Sequence, residues 1–260
     1  LVQKEDILLH ASEHQFLLSF SETLMLRNYS RNKEYKYCSQ IGGSESIRDI
    51  QEAKNIDADA FEFQIVESLF SISKIFQALE KTYSDCLEEL SSKYIFINIS
   101  NNESLNLLKE LKYNQLPECF KQTKFIINYD RRNLIKCFFN LKNNDFEVYQ
   151  YEEKINRLIF DSHKEIRNNK FLISISGGIT YKSLENLIKT KISFDFVKTG
   201  FFSIKTNQIN MNNLKKNLFH YQSLEAKLIK VMSSSINNKT NYLEKRKIHL
   251  TNYLVDLLNK

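Results

Sequence analysis

The sequence predicts an α/β protein built as a TIM-like (β/α) barrel with a C-terminal helical extension, and three observations carry that expectation. Short runs rich in β-branched and aromatic residues recur along the chain, each followed by a longer segment with apolar residues at three- and four-residue spacing. Seven or eight such strand–helix units fit within about 200 residues, the size of one barrel. Four of the five glycines stand in two pairs, Gly42-Gly43 and Gly177-Gly178, each at the end of a strand-like run. An open doubly wound sheet is the alternative that the same alternation allows.

DILLHAS (6–12) reads as the first strand and QFLLSFSETLMLRNY after it as the first helix. YKYCSQI (35–41) is the second strand; the glycine pair then leads to Ser44, an N-cap for a helix with Ile47 and Ile50 facing inward. AFEFQIV (60–66) and YIFINIS (94–100) are the third and fourth strands, followed by SLFSISKIFQALEKTY and ESLNLLKELKY as helices. KFIINY (124–129) is the fifth, with one helix beginning near Asn133 and a longer one around EKINRLIFDSHKEIRNN. FLISIS (171–176) is the sixth and runs into the second glycine pair and the helix TYKSLENLIKT. FDFVKTGFFSI (194–204) is expected as a seventh strand interrupted at Gly200. From Asn212 onward two helical segments flank a polar bend, SSSINNKTN, so residues 1–210 form the barrel and 211–260 are helices packing on it or on a neighbouring subunit.

At 260 residues and 42% hydrophobic, the chain can bury a core without staples. Its apolar runs are far shorter than the roughly 18 residues of a spanning helix. The first residues lack the basic-then-apolar pattern of a leader, so the reading is a cytoplasmic protein without a membrane partner. The net charge of +6 is spread along the chain, and its densest patches, YLEKRK and YDRR, form neither an arm nor a stripe. With no recognised motif beside them, no nucleic acid partner is expected. Cys38, Cys86, Cys119 and Cys137 are widely spaced and read as small buried hydrophobes. An apolar stripe through Leu243, Ile248, Leu250 and Leu254 suits packing under the barrel or between subunits, which makes a homo-oligomer the expectation.

The active face of such a barrel lies at the C-terminal ends of its strands. Both glycine pairs sit there, where a backbone needs positive φ or close approach to a ligand; a tight turn alone also accounts for either pair. Neither matches a dinucleotide fingerprint or a P-loop. His10, Glu13 and His14 gather at the end of strand one, where a histidine can serve as acid or base, although polar helix-start residues explain the same letters. His163, His220 and His249 fall in predicted helices and suit surface or core roles. No nucleophile elbow and no HExxH occurs.

The run QIGGSESIRDIQEAKNIDADAFEFQIVES, then FINI, then ISGGITYKSLENL and FDFVKTGFFSI, resembles in order and spacing the HpcH/HpaI aldolase and citrate lyase β-subunit family, in particular its bacterial surface-polysaccharide branch. The resemblance runs over about residues 8–204. It implies a barrel that binds a divalent metal, usually magnesium, and makes or breaks a carbon–carbon bond beside a 2-oxo acid or a thioester. The metal would polarise a carbonyl toward an enolate while a basic side chain holds the substrate carboxylate.

The resemblance also assigns places. Gln40 stands where the family has its basic residue. Ser100 stands where the first metal carboxylate follows strand four, with Glu103 three residues on as a substitute. Asp130 stands as the second metal carboxylate, with Asn128 in place of an arginine, although a solvated loop aspartate paired with Arg131 or Arg132 explains the same letters. Glu67 matches the family, though a carboxylate at a helix start is also favoured by the dipole. Val197, Lys198, Thr199 and Gly200 replace a group of glutamate, threonine and arginine. The expected site thus has His10, Glu13 and Gln40 as catalytic groups and Gly42, Gly43, Glu67, Asn98, Gly177, Gly178 and Lys198 around a small carbonyl substrate. Asp130 and Glu103 would hold Mg2+. Two functions follow: a diverged carbon–carbon lyase on a 2-oxo acid or related carbonyl compound in surface-polysaccharide synthesis, or a catalytically inactive paralogue retaining the barrel as a binding or assembly subunit.

Overall fold

A computed structural model of the chain describes residues 7–12, 20–32, 34–41, 47–64, 69–101, 118–142, 148–168, 170–180, 194–199 and 202–206, with single positions at 104, 116, 183, 186, 187, 189 and 223. Eight strands close into a barrel in chain order: β1 (Ile7–Ser12), β2 (Lys36–Ile41), β3 (Ala60–Gln64), β4 (Tyr94–Ile99), β5 (Lys124–Asp130), β6 (Leu172–Ser176), β7 (Phe196–Thr199) and β8 (Phe202–Lys205). Strands β1 to β7 run parallel. Around them lie α1 (Phe20–Asn32), α2 (Ile47–Asn55), α3 (Leu69–Thr82), α4 (Leu87–Ser91), α5 (Arg131–Phe138) and α6 (Glu152–Asn168). The barrel, not the open sheet, is the architecture this sequence adopts. The proposed C-terminal helices, Ser44 and the Gly42-Gly43 turn lie outside the described residues.

One expectation is corrected. The run 194–204 is not a single interrupted strand but two, β7 and β8, paired antiparallel with Thr199 opposite Phe202. Two residues separate them, the length of a tight hairpin connection. Strand β8 then pairs antiparallel with β1, Ile7 opposite Ile204, and satisfies the edge that β1 and β7 would otherwise leave open.

Side chains alternate across each strand, so one residue set fills the barrel and the other packs under the helices. The lower interior is apolar: Leu8, Cys38, Ala60, Phe96, Ile126 and Phe196 form one cluster. Phe196 meets the rings of Phe96 at 5.7 Å and Tyr94 at 6.1 Å, edge-on in both cases. At the N-terminal end the ammonium groups of Lys36 and Lys124 stand 4.8 and 5.0 Å from the Tyr94 ring centroid. The outward set, such as Phe61, Phe63, Ile95, Ile97, Ile127 and Ile175, joins the larger core with Leu79, Leu134 and Ile159 of the helices. Burial on both faces is why these strands read as nearly continuous apolar runs. No helix among the described residues is long and apolar enough to cross a membrane.

The end of β6 turns through Gly177 (φ 77°) and Gly178 (φ 67°), both in the left-handed region. A Cβ on Gly177 would stand 2.6 Å from Asp130 Oδ1 and 2.7 Å from the backbone nitrogen of Arg132, and one on Gly178 would meet the Val148 side chain. The pair lets the β6 turn lie directly on the junction of β5 and α5. Gly177→Ala and Gly178→Ala are each expected to destabilise the fold by about 1–3 kcal/mol from backbone strain alone. In thermal denaturation Val148→Ala should recover part of the loss at Gly178 and none at Gly177, whose clash includes backbone.

Candidate functional site

Above the apolar layer, the inward residues of the same strands turn polar and converge on one carboxylate. Glu62 lies between Phe61 and Phe63, both buried in the outer core, so strand alternation sends Glu62 into the barrel. Each of its oxygens accepts two hydrogen bonds. Oε1 receives the Asn98 amide at 2.5 Å and the Lys198 ammonium; Oε2 receives His10 Nδ1 at 2.6 Å and the Gln40 amide at 2.7 Å. The Asn98 oxygen in turn accepts from Asn128 Nδ2 at 2.7 Å, and the same nitrogen reaches Ser176 Oγ at 3.0 Å. Gln40 lies opposite Glu62 in the ladder and Asn98 opposite Asn128, so register alone brings these groups together.

The charges in this cluster balance. Burial alone pushes the Glu62 carboxyl up, but the Lys198 charge and the His10 contact hold it well below the usual carboxylate range. His10 is held below its ordinary value, first by burial and then by Lys198, against the opposing pull of Glu62. The ring is therefore neutral, donates from Nδ1 to the carboxylate, and keeps Nε2 buried without a partner among the described residues. Its edge packs on Phe96 at 5.1 Å. One anion, Glu62, faces one cation, Lys198.

Of the expected site residues, this cluster gathers His10, Gln40, Asn98 and Lys198. Gln40, expected at the substrate, donates to Glu62. Gly177 and Gly178 form the β6 turn beside Asp130. Glu13, Gly42, Gly43, Glu67 and Glu103 lie outside the described residues. Sequence reasoning missed Glu62, the hub. The signal was present in AFEFQIV, where a carboxylate occupies the middle of a buried strand.

Asp130 ends β5 and caps α5: Oδ1 accepts from the Asn133 backbone nitrogen at 3.1 Å and Oδ2 from its side-chain amide at 2.8 Å. Burial pushes its carboxyl up against these bonds and the Lys198 charge. Glu62 inside the barrel and Asp130 at the end of β5 are the carboxylates that the described strands contribute, and both are engaged. Magnesium takes oxygen ligands, usually one or two carboxylates with water or substrate. With both carboxylates engaged by protein groups, the described residues alone do not complete an Mg2+ centre, and Glu103, the other expected ligand, lies outside them. A partial set of another kind is present: donors of His10, Cys38 and Glu62 lie within 4.8 Å of one another. Nitrogen, sulfur and oxygen together suit a softer ion than magnesium. Burial, followed by the Glu62 charge, raises the Cys38 thiol well above its ordinary range and keeps it protonated, while Lys198 sits on the same carboxylate. A separate open cleft of about 500 Å³ is lined by Ser100, Asn101, Asn133, Lys136, Cys137, Asn140 and Leu141, none of which belongs to the Glu62 cluster.

No family profile matches the sequence, and no curated protein matches it. In structure the chain is similar to a HpcH/HpaI aldolase/citrate lyase family protein from Burkholderia cenocepacia J2315, with a TM-score of 0.54 and 6% identity over 84% of this chain and 85% of that one. It is also similar to Haloferax volcanii malate synthase. The magnesium/glyoxylate complex gives a TM-score of 0.56 at 6% identity, covering 97% of this chain and 88% of the other. The native enzyme at 3 mM glyoxylate gives 0.55 at 7%, covering 96% and 87%. At these identities the likeness is one of fold, and the fold is the one the sequence resemblance implied.

Removing Glu62 strands a buried ammonium, so Glu62→Gln is expected to lower stability in urea denaturation by about 3–5 kcal/mol; a loss below about 1 kcal/mol would contradict the pairing. The His10 shift sets a pH dependence. As pH falls through its ordinary value of 6.5, the unfolded chain takes up a proton that the folded chain refuses, so stability declines on the acid side. The slope approaches about 1.4 kcal/mol per pH unit for one proton. Urea midpoints should show it and His10→Gln should remove it. A second loss begins below the ordinary Glu62 value of 4.5.

Proposed function

We propose that this chain is a diverged member of the HpcH/HpaI aldolase and citrate lyase family that makes or breaks a carbon–carbon bond beside the carbonyl of a 2-oxo acid or related compound. The observation that carries this reading is the Glu62–Lys198–His10 cluster inside the barrel, above the apolar layer on the side toward the C-terminal ends of the strands, where barrel enzymes hold their reactive groups. The sequence resemblance and two structural likenesses support it, one to an aldolase/citrate lyase family protein and one to a malate synthase in complex with glyoxylate, itself a 2-oxo acid. A place in surface-polysaccharide synthesis rests on the sequence resemblance alone. Association into a homo-oligomer belongs to the same proposal, with the apolar stripe of the C-terminal segment as its basis.

In this reading the amides of Gln40 and Asn98 hold Glu62 in place, Lys198 provides positive charge, and Glu62 takes and returns a proton. A second reading has its own observation. Gln40, which stands for the family's basic residue, is neutral and bonded to Glu62, which suits a barrel that binds or assembles without turnover.

Incubation with a panel of 4-hydroxy-2-oxo acids, with 2-oxo acid release followed over time, separates the two. The lyase reading expects turnover that falls about 10²–10⁴-fold in Glu62→Gln; binding without turnover supports the second. Calorimetric titration with Mg2+ is expected to show no site that depends on Asp130, whose oxygens cap α5. Asp130→Ala should cost about 1 kcal/mol as a lost cap and leave that titration unchanged. Magnesium binding that disappears with Asp130→Ala would reinstate Asp130 as a ligand.

A further inference from the structure

The proposed reaction needs an electron sink beside the bond that breaks. The carboxylates of the described strands are engaged with protein groups and do not alone complete a magnesium centre. What the barrel does offer is a primary amine. Lys198 extends inward from β7, one residue from the end of its strand, and contacts Glu62. Its side chain keeps 10% of its surface, against 2% for Glu62 and 0% for His10, so it is the most open side chain of the charged cluster.

We infer that Lys198 is the covalent nucleophile, condensing with the substrate carbonyl to form an iminium, with Glu62 as its proton-transfer partner. The inference rests on the carbonyl-lyase reading and specifies its chemistry. A lysine amine attacks only when unprotonated. Glu62 is in direct contact, and although the Lys198 charge holds its carboxyl down, moving the proton across the pair removes that same charge. Asn98 holds Glu62 Oε1 from one side, while His10 and Gln40 hold Oε2, so the carboxylate stays fixed while its proton comes and goes.

The step balances. The Lys198 ammonium gives one proton to Glu62; the free amine adds to the carbonyl carbon, and after proton transfer from nitrogen to oxygen a neutral carbinolamine results. Glu62 returns its proton to the carbinolamine hydroxyl, which leaves as water, and the nitrogen lone pair forms the carbon–nitrogen double bond. One ammonium and one carbonyl become one iminium and one water, with charge conserved and no redox change. Glu62, a carboxylate again once water has left, takes the 4-hydroxyl proton as the carbon–carbon bond breaks; the electron pair passes to the iminium, giving a free aldehyde and an enamine. Return of that proton to the enamine carbon, followed by addition of water, releases the 2-oxo acid and the Lys198 ammonium. The iminium thus takes the role that a polarising metal plays in the family that the sequence resembles. A purely structural Lys198–Glu62 pair is the competing account, and it requires no reaction with carbonyl compounds.

The test is reductive trapping in chelator. The full chain is incubated with pyruvate or glyoxylate, then with borohydride, and modified lysines are mapped by peptide mass spectrometry. One reduced adduct per chain is expected, on Lys198, at more than about tenfold over any other lysine at equal exposure to reagent. Lys198→Arg keeps the charge facing Glu62 and should fold as the unmodified chain does, yet yield no specific adduct and no lyase turnover. Adducts scattered over surface lysines, or none, overturn the inference. Turnover without an adduct, abolished by chelator, overturns it while leaving the lyase reading intact; neither turnover nor adduct overturns both.

Discussion

The buried pairing of Lys198 with Glu62 is the constraint on which this barrel's upper half depends. The two residues are 136 positions apart in sequence, on β7 and β3 at opposite sides of the eight-strand circuit, and they meet inside it. Neither charge is tolerable there alone, because taking an ion out of water costs several kcal/mol that only a well-placed partner returns. With His10 from β1, Gln40 from β2 and Asn98 from β4 completing the shell, four strands report to one carboxylate on a fifth. A barrel that slipped register by one residue would turn Glu62 outward into the apolar contacts of Phe61 and Phe63.

The interior is thus layered by polarity. Aromatic and small residues fill the lower part, where Phe96 and Phe196 meet edge-on and Lys36 and Lys124 cover the Tyr94 ring. The N-terminal end is tied by a device used twice. Asp59, just before β3, accepts from the Tyr37 backbone nitrogen at 2.9 Å, and Asp195, just before β7, accepts from that of Ile173 at 2.8 Å. In each case a strand-leading aspartate fixes the start of the preceding strand. Such groups at the bottom serve stability, which leaves the C-terminal mouth free to hold polar groups that a packed core would exclude.

Much of the scaffold was legible in the sequence, because burial on both faces writes parallel strands as apolar runs such as YIFINI and KFIINY. Helix α5 was legible near Asn133, and Asp130 proves to be its cap. The hairpin of β7 and β8 was not. An apolar run carries no sign of chain reversal, and whether a break such as Gly200 continues or turns a strand is decided by which edges need partners. The site was half legible. His10 stood out as a polar residue at a strand end, and Gln40 and Lys198 by the places the resemblance gave them, but the same resemblance drew attention to Glu67 rather than to Glu62. A carboxylate inside AFEFQIV and an amine inside FDFVKT each look like an isolated exception. Only closure of the barrel makes them one pair, and closure is a property of the whole chain.

The same pair gives a physical reason for Gln40. In the family the sequence resembles, a basic residue occupies that place on strand two. Here position 40 lies opposite Glu62 in the ladder, with the amide of Gln40 2.7 Å from Oε2. A cation there would be the second against a single carboxylate whose other oxygen already receives Lys198, and the surplus charge would be buried. A neutral donor keeps the hydrogen bond without the charge. His10 obeys the same limit: it is neutral because a proton on Nε2 would add a positive charge where Lys198 already balances Glu62. The positive charge missing from strand two is therefore present on strand seven, attached to an amine that can form a covalent bond as well as bind. Gln40 and Lys198 are best understood as one coupled departure, in which the position of the cation sets what the carboxylate beside it can do.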